Sequence, residues 1–114
     1  MSSSPLPGDP PDSTLGGYLA MHDRPPAFAG LDRQPYTVSV EVEKRANLRA
    51  PWIAYLVFPC WAETGLGIVG HVETPVLWEG RAHAEVEELV GQTPLTRVKE
   101  LLDEAIRRRA SEIE

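Results

Sequence analysis

The first clear pattern in the sequence is an alternation of apolar and polar positions that begins at Tyr36. Its apolar members are Tyr36, Val38, Val40 and Val42. A period of two predicts a strand with one buried and one exposed face. Residues 52–58 are apolar throughout, which is typical of a central strand covered on both faces. We expect Pro59 to end this strand, because proline supplies no N–H to a central ladder.

A third strand is predicted for residues 66–74, which are rich in β-branched side chains. Gly67 and Gly70 interrupt this segment and mark either a bulge or a place where another backbone approaches closely. The strands follow one another along the chain. They therefore predict an antiparallel meander of three or four strands.

Two helices are predicted after the strands. The first would end at Gly91, and its apolar face consists of Ala82, Val86, Leu89 and Val90. The second would be capped by Thr93 with Pro94 in its first turn, and its apolar stripe comprises Leu95, Val98, Leu102, Ala105 and Ile106. Three arginines at 107–109 would then lie at its end, where the helix dipole favours cations.

The residues before Tyr36 differ from the rest, because seven of the eleven prolines fall there. Such density blocks helices and strand ladders, so residues 1–12 predict a disordered arm. We expect residues 13–35 to be a partly ordered extension with one short helix, capped by Asp12 or Ser13. Residues 36–114 would form a single α+β domain in the order β-β-β-α-α, with the helices packed on one face of the sheet.

The composition supports one folded domain. The chain has 114 residues, of which 42% are hydrophobic and 25% charged, close to the globular average. Its net charge of −6 disfavours nucleic acids and anionic membranes, which bind cationic surfaces. One cysteine, Cys60, allows no intramolecular disulfide. With no apolar signal run and no apolar span of ~20 residues, the sequence predicts a cytoplasmic protein that is not inserted in a membrane.

Two motif matches are contradicted by their surroundings. Residues 65–70 match the G-x-G-x-x-G string of dinucleotide-binding proteins, but the following residues predict a strand where a helix would have to bind the pyrophosphate. His71 and Glu73 form the H-x-E pair of zinc deaminases, yet the P-C-x-x-C segment that should follow is missing from the sequence. We therefore expect no cofactor and no bound metal.

A metal site of another design is an alternative interpretation of the polar residues. His71 and Glu73 share one face of the third predicted strand, and His83 lies four positions before Glu87 on the first predicted helix. If strand and helix met, these side chains would form a mixed nitrogen and oxygen site. Cys60 has apolar neighbours and is expected to be a core cysteine, not a nucleophile.

Aromatic residues crowd into a short part of the chain. The large rings within residues 52–78 are Trp52, Tyr55, Phe58, Trp61 and Trp78. Those on the central strand are expected to be structural. Trp61 and Trp78 each adjoin a predicted turn, and we expect these two to be exposed and to anchor a partner.

The order of residues 36–41, residues 54–60 and a later acidic helix resembles the HicB antitoxin domain, in which strands precede a helix. The glycine-rich hairpin of that family and the T-x-x-E-A opening of its helix are missing from the sequence. The resemblance therefore assigns the chain to no family.

No complete catalytic constellation is visible in the sequence, which favours a non-catalytic accessory or protein-binding module, with homodimerisation as one form of that binding. Its contact surfaces would be the sheet face and the N-terminal arm. The alternative is a small-ligand-binding or catalytic domain whose pocket lies between the sheet and the helices. His71, Glu73 and His83 would line that pocket.

Overall fold

The computed structural model describes residues 10–46 and 49–113, with side chains through residue 112. Within these ranges the chain forms an α+β fold, as the sequence predicts, with three helices and a six-stranded antiparallel sheet. The elements in chain order are α1 (Leu15–His22), β1 (Ala27–Ala29), β2 (Pro35–Thr37), β3 (Ser39–Lys44), β4 (Trp52–Trp61), β5 (Ile68–Glu73), β6 (Trp78–Gly80), α2 (His83–Gly91) and α3 (Leu95–Ile113). Most of the predicted disordered arm, residues 1–9, lies outside the described residues.

The ten-residue strand β4 is the centre of the sheet, because four other strands pair with it. Along one edge of β4, β3 pairs with the first half of the strand, and β2 pairs with Cys60 near the end of the strand. Along the other edge, β6 pairs with its start and β5 with its second half. β1 extends the sheet beyond β2. The sheet thus has six strands where the sequence predicts three or four, because each neighbour of β4 is divided into two strands and residues 27–29 add another.

Pro59 lies inside β4, although the sequence predicts that it ends the strand. Val57 is opposite Ser39 of β3, and Cys60 is opposite Tyr36 of β2, so Pro59 faces the break between those two strands. Its missing N–H therefore falls where the ladder is already interrupted. A central strand tolerates proline at such a position.

The other neighbour of β4 is divided at Thr74, between β5 and β6. The Thr74 N–H donates to Leu56 O at 2.9 Å, while the Leu56 N–H donates to the Thr74 hydroxyl at 3.0 Å. Pro75 follows and supplies no donor. The ladder resumes where the Leu77 N–H donates to Ala54 O at 3.0 Å. A threonine side chain thus replaces one backbone acceptor at this break.

The helices pack against one face of the sheet and form the core with it. Even-numbered residues of β4 meet the apolar faces of α2 and α3 there, and the buried side chains include Ala54, Leu56, Phe58, Cys60, Val86, Val90, Val98 and Leu102. On the opposite face, the odd-numbered residues from Tyr55 to Trp61 are each partly exposed. The expectation that residues 52–58 are covered on both faces is therefore wrong, and the apolar residues of the second face form an open surface.

The helix α1 is capped by Thr14, whose hydroxyl accepts a hydrogen bond from the Gly17 N–H at 3.1 Å. The sequence predicts this helix but places its cap too early, at Asp12 or Ser13. Asp12 instead lies 2.8 Å from the His22 ring at the other end of the helix. This hydrogen bond lowers the pKa of the Asp12 carboxyl.

Two backbone hydrogen bonds hold the start of α1 against the junction between α2 and α3. The Leu15 N–H donates to Thr93 O and the Leu95 N–H donates to Ser13 O, each at 2.9 Å. Beside them, Gly16 lies so close to the backbone of Gly91 that an added Cβ would be 3.0 Å from the Gly91 Cα. The extension therefore docks through backbone contacts.

The helix α3 is longer than the sequence predicts. The Thr93 hydroxyl donates to Leu89 O of α2 at 3.4 Å, so it stabilises the end of α2, not the start of α3 as predicted. At the other end α3 continues to Ile113, and the arginines at 107–109 precede its last turn. Their predicted pairing with the helix dipole is therefore wrong, because that effect is confined to the last turn. Within the described ranges, no helix has the length and apolar character to cross a bilayer.

Candidate functional site

The hairpin between β4 and β5 places three large apolar side chains in solvent. Its turn is closed by hydrogen bonds from the Gly65 N–H to Ala62 O and from the Ala62 N–H to Gly67 O, each 2.8 Å long. Gly65 has a φ of +75°, which glycine adopts without strain. Among the described residues, the most exposed large apolar side chains are Leu66, Val69 and Ile68, at 90%, 68% and 58%.

A β-bulge explains why the neighbours Ile68 and Val69 are both exposed. Cys60 is opposite Gly70 while Trp61 is opposite Ile68, so β5 has one more residue than β4 at this point. The extra residue breaks the alternation that would otherwise bury one of the two side chains. Of the two alternatives that Gly67 and Gly70 predict, a bulge and a close backbone approach, the bulge is therefore present.

Gly67 and Gly70 have no contact in the described part of the chain that requires a glycine. Neither has a positive φ, and a Cβ built at either position would meet no atom within 4 Å. Gly70 lies inside β5, where glycine weakens a strand because it loses more backbone entropy and packs no side chain. It thus leaves open space beside the strand at a cost in stability.

One edge of β5 is not paired with any strand in the part of the chain that the structure describes. The Thr74 N–H donates to a β4 carbonyl. Because backbone groups alternate in direction, those of Glu73 and His71 point away from β4. Arg108 of α3 donates to Glu73 O at 3.4 Å and so occupies the far end of this edge. We call residues 68–71 the open edge of β5.

The open edge is uncharged, whereas the adjoining sheet face is acidic. Residues 65–72 contain no Asp, Glu, Lys or Arg, although the chain carries a net charge of −6. On the sheet face, Glu41 is directly opposite Tyr55. Partial burial, and then the carboxylates of Glu43, Glu73 and Glu41, raise the pKa of the Tyr55 hydroxyl. The open edge therefore favours an uncharged partner surface, whereas the acidic sheet face favours a cationic one.

Trp61 and Trp78, the two predicted anchors, lie on opposite faces of the sheet, and each is only partly exposed. Trp61 is on the open face beside Ile68, and its Nε1–H donates to the Thr37 hydroxyl at 2.9 Å. Trp78 is opposite the buried Ala54, packs against the core and lines a cavity of about 220 Å³ on the helix side. Trp61 therefore adjoins the exposed hairpin, and Trp78 does not.

The predicted pocket residues His71, Glu73 and His83 are not brought together. His71 and Glu73 share one face of β5 beside the second half of β4. His83 begins α2, with its Nδ1 2.7 Å from Glu87 Oε1 and its ring 4.9 Å from the ring of Trp52, the first residue of β4. No group of three His, Cys, Asp or Glu side chains in the described ranges could hold a metal ion. The mixed metal site is therefore wrong.

A groove of about 280 Å³ lies between β5 and the C-terminal half of α3. His71 and Glu73 line its strand side, while Arg108, Arg109 and Glu112 line its helix side. Two of the three predicted pocket residues therefore share a groove with arginines that the sequence assigned to helix capping. Its charges are of both signs, so it presents no single-sign site for an anion or a cation.

Sequence reasoning did not identify Leu66, Ile68 and Val69 as a surface, because apolar β-branched residues in a strand usually indicate a buried face. The available signal was the run of residues 65–72, in which glycines separate apolar side chains and no charge occurs. The same glycines produced the match to the dinucleotide motif.

Comparison with known proteins assigns no family to this chain. No protein-family model matches it, and no curated protein or solved structure matches it either.

Proposed function

We propose that this chain is a non-catalytic accessory module that binds another protein chain through the open edge of β5 and the side chains around it. The observation that carries the proposal is the exposure of Leu66, Ile68 and Val69 beside a strand edge that no other described residues pair with. Neighbouring exposed apolar residues mark interaction surfaces, because leaving them in water is unfavourable.

A strand edge of this kind suits protein binding for two physical reasons. Its free N–H and C=O groups form backbone hydrogen bonds with an added strand, and the nearby side chains give specificity. Trp61 supplies a large ring next to Ile68. Aromatic rings at interface centres often contribute a large share of the binding energy. The strand edge would fix the register of the bound strand, and the Trp61 ring would add affinity.

The sheet face next to the edge supports the same role. Tyr55, Val57 and Pro59 form a partly exposed apolar row along β4, and acidic residues of β3 and β5 border it. Residues 13–15 are bonded to the junction between α2 and α3, so this part of the extension is already engaged within the chain. The sheet side of the molecule is therefore the better contact surface.

Site-specific photo-crosslinking in the cells that make the protein tests this proposal. A photoreactive residue at Val69 should give a discrete protein adduct. The same residue at Met21, which is 57% exposed on α1, should give none. Ile68→Lys should remove the Val69 adduct, because a contact would bury the lysine charge. Equal labelling from both positions, or no adduct from Val69, would overturn the proposal.

A small-ligand site in the groove between β5 and α3 is the second candidate function. It is supported by the groove's volume of about 280 Å³ and by the convergence of His71, Glu73 and Arg108 on it. A fragment screen followed by NMR tests it. Saturable shifts clustered at His71 and Arg108, lost in Arg108→Ala, would favour this function. Unselective weak shifts over the whole surface would contradict it.

A further inference from the structure

We propose that the open face of the sheet, which is the face opposite the core, binds a basic amphipathic helix of another protein that lies along β4. The inference deepens the proposed function and rests on it in placing the partner on the sheet side of the molecule. It adds the chemistry of the partner. The apolar row of this face consists of Tyr55, Val57, Pro59 and Trp61, which are each partly exposed.

The apolar row is long enough to hold a helix of several turns. Tyr55 and Trp61 are six positions apart on one strand, so the row extends about 20 Å at about 3.3 Å per residue. A helix rises about 1.5 Å per residue, and about 14 residues therefore span the row. The apolar stripe of such a helix would remove the exposed parts of these side chains from water, which is favourable.

Carboxylates border the row on both sides. Glu41 of β3 is directly opposite Tyr55, and Glu73 of β5 is directly opposite Val57. After partial burial, both carboxylates contribute to the raised pKa of the Tyr55 hydroxyl, in keeping with their position on this face. Neighbouring strands are about 4.8 Å apart, so the two flanking strands are separated by about 10 Å, which is also about the width of a helix. Lysines or arginines on both sides of the apolar stripe would therefore reach both carboxylates.

The charges of Glu41 and Glu73 are not neutralised by the described part of the chain. The ion pairs that lysine and arginine form there involve other carboxylates. Arg108 donates to the backbone oxygen of Glu73, not to its carboxylate. No group of three acidic or metal-ligating side chains in the described ranges could hold a metal ion instead. The face therefore attracts a cationic segment, and the net charge of −6 strengthens that attraction at long range.

The charge of the face changes along the row, which gives the bound helix a direction. The half of the row beside Tyr55 is acidic. At the other end, Trp61 is opposite Ile68, and residues 65–72 contain no Asp, Glu, Lys or Arg. The helix that fits is therefore basic beside Tyr55 and apolar beside Trp61.

Sedimentation velocity of the full chain with a labelled synthetic peptide tests this inference. The probe is a helical peptide of about 14 residues with a leucine stripe bordered by lysines. It should sediment with the protein at micromolar concentrations, and its dissociation constant should rise with added salt. In one control peptide glutamates replace the lysines, and in another serines replace the leucines. Each control should bind at least about tenfold more weakly.

Two matched pairs of substitutions test the position of the contact. The double variant Glu41→Gln, Glu73→Gln should raise the dissociation constant of the lysine peptide about tenfold. Glu87→Gln with Glu88→Gln makes the same change in net charge at exposed positions of α2, on the other side of the sheet. This control should change the dissociation constant by less than about twofold. Circular dichroism should show the same fold in both variants.

Two outcomes would overturn the inference: a chain that does not bind the lysine peptide more tightly than both control peptides, and equal effects of the two double variants. If either occurs while Val69 still forms a discrete adduct in cells, the chemistry of the partner is wrong and the protein-binding proposal stands. If the peptide binds as expected but Val69 forms no adduct, the open face is the contact surface and the edge contact is wrong. If both tests fail, both proposals fail.

Discussion

The Tyr36 hydroxyl donates a 2.7 Å hydrogen bond to Asp32 Oδ2, and the second oxygen of the same carboxylate accepts from the Gln34 N–H at 3.0 Å. Tyr36 is 4% exposed and lies opposite Cys60 in the core. Burial, and then the Asp32 carboxylate and the Cys60 thiol, raise the pKa of the Tyr36 hydroxyl far above its ordinary value. One side chain thus joins the core to the turn between β1 and β2.

This raised pKa predicts a loss of stability in alkali. The unfolded chain ionises Tyr36 near the ordinary tyrosine pKa of about 10, whereas burial and Asp32 keep the hydroxyl protonated to higher pH in the folded chain. The contribution of Tyr36 to the free energy of unfolding is therefore fully present below about pH 10. It declines as the pH rises further, by up to about 1.4 kcal/mol per pH unit for one proton. Urea unfolding at a series of pH values measures this slope. Tyr36→Phe should flatten it, and an equal slope in that variant would contradict the assignment.

The contact between Gly16 and Gly91 predicts that α1 does not tolerate a side chain at Gly16. A Cβ there would be 3.0 Å from backbone atoms that cannot rotate away, so Gly16→Ala should destabilise the fold by about 1–3 kcal/mol. Gly67→Ala is the matched control, because its Cβ meets no atom within 4 Å. It should change stability by less than about 1 kcal/mol. Denaturant unfolding of both variants at low concentration checks the ranking, and equal effects would show that α1 is not docked as described.

The apolar stripe of α3 predicts a large difference between two residues of the same helix. Leu102 is fully buried, and Leu102→Ala should cost about 2–5 kcal/mol because it leaves a cavity. Arg108 is exposed and makes one long hydrogen bond, so Arg108→Ala should cost well under about 1 kcal/mol. Chemical denaturation of the two variants compares their free energies of unfolding. A larger loss in the arginine variant would mean that the helix is rotated.

The two tryptophans should differ in what their removal affects. Trp78 packs against the core, so Trp78→Ala should lower stability by about 2 kcal/mol or more. Trp61 lies beside Ile68 at the surface, so Trp61→Ala should weaken association while costing less than about 1 kcal/mol of stability. Thermal unfolding and sedimentation velocity separate the two effects. Loss of stability with unchanged association in Trp61→Ala would remove that ring from the interface.

The helical part of the fold could be predicted because its signal is local. The stripe of α3 repeats over several turns, and Val98, Leu102 and Ala105 are buried as the spacing indicates. The sheet was harder, since its interruptions depend on strand pairing. Pro59 is tolerated only because β2 and β3 separate opposite it, and no property of its own sequence neighbours indicates that break.

The candidate site was predicted only in part, for a similar reason. His71 and Glu73 are two residues apart on one strand, so their shared face follows from the period of the strand. His83 lies beside Trp52 at the other end of β4, which only the three-dimensional path of the chain determines. The exposure of Ile68 and Val69 depends on a bulge whose position is fixed by the pairing with Trp61.

The two backbone hydrogen bonds that hold α1 have a consequence for the order of folding during synthesis. Their partners, Ser13 with Leu95 and Leu15 with Thr93, come from segments that a ribosome makes early and late. The early segment has no docking site until the start of α3 has left the exit tunnel, and contacts between distant segments form slowly. We therefore expect this protein to complete its fold only after almost all of the described chain has been translated. Nascent chains arrested before residue 95 should leave α1 open to proteolysis.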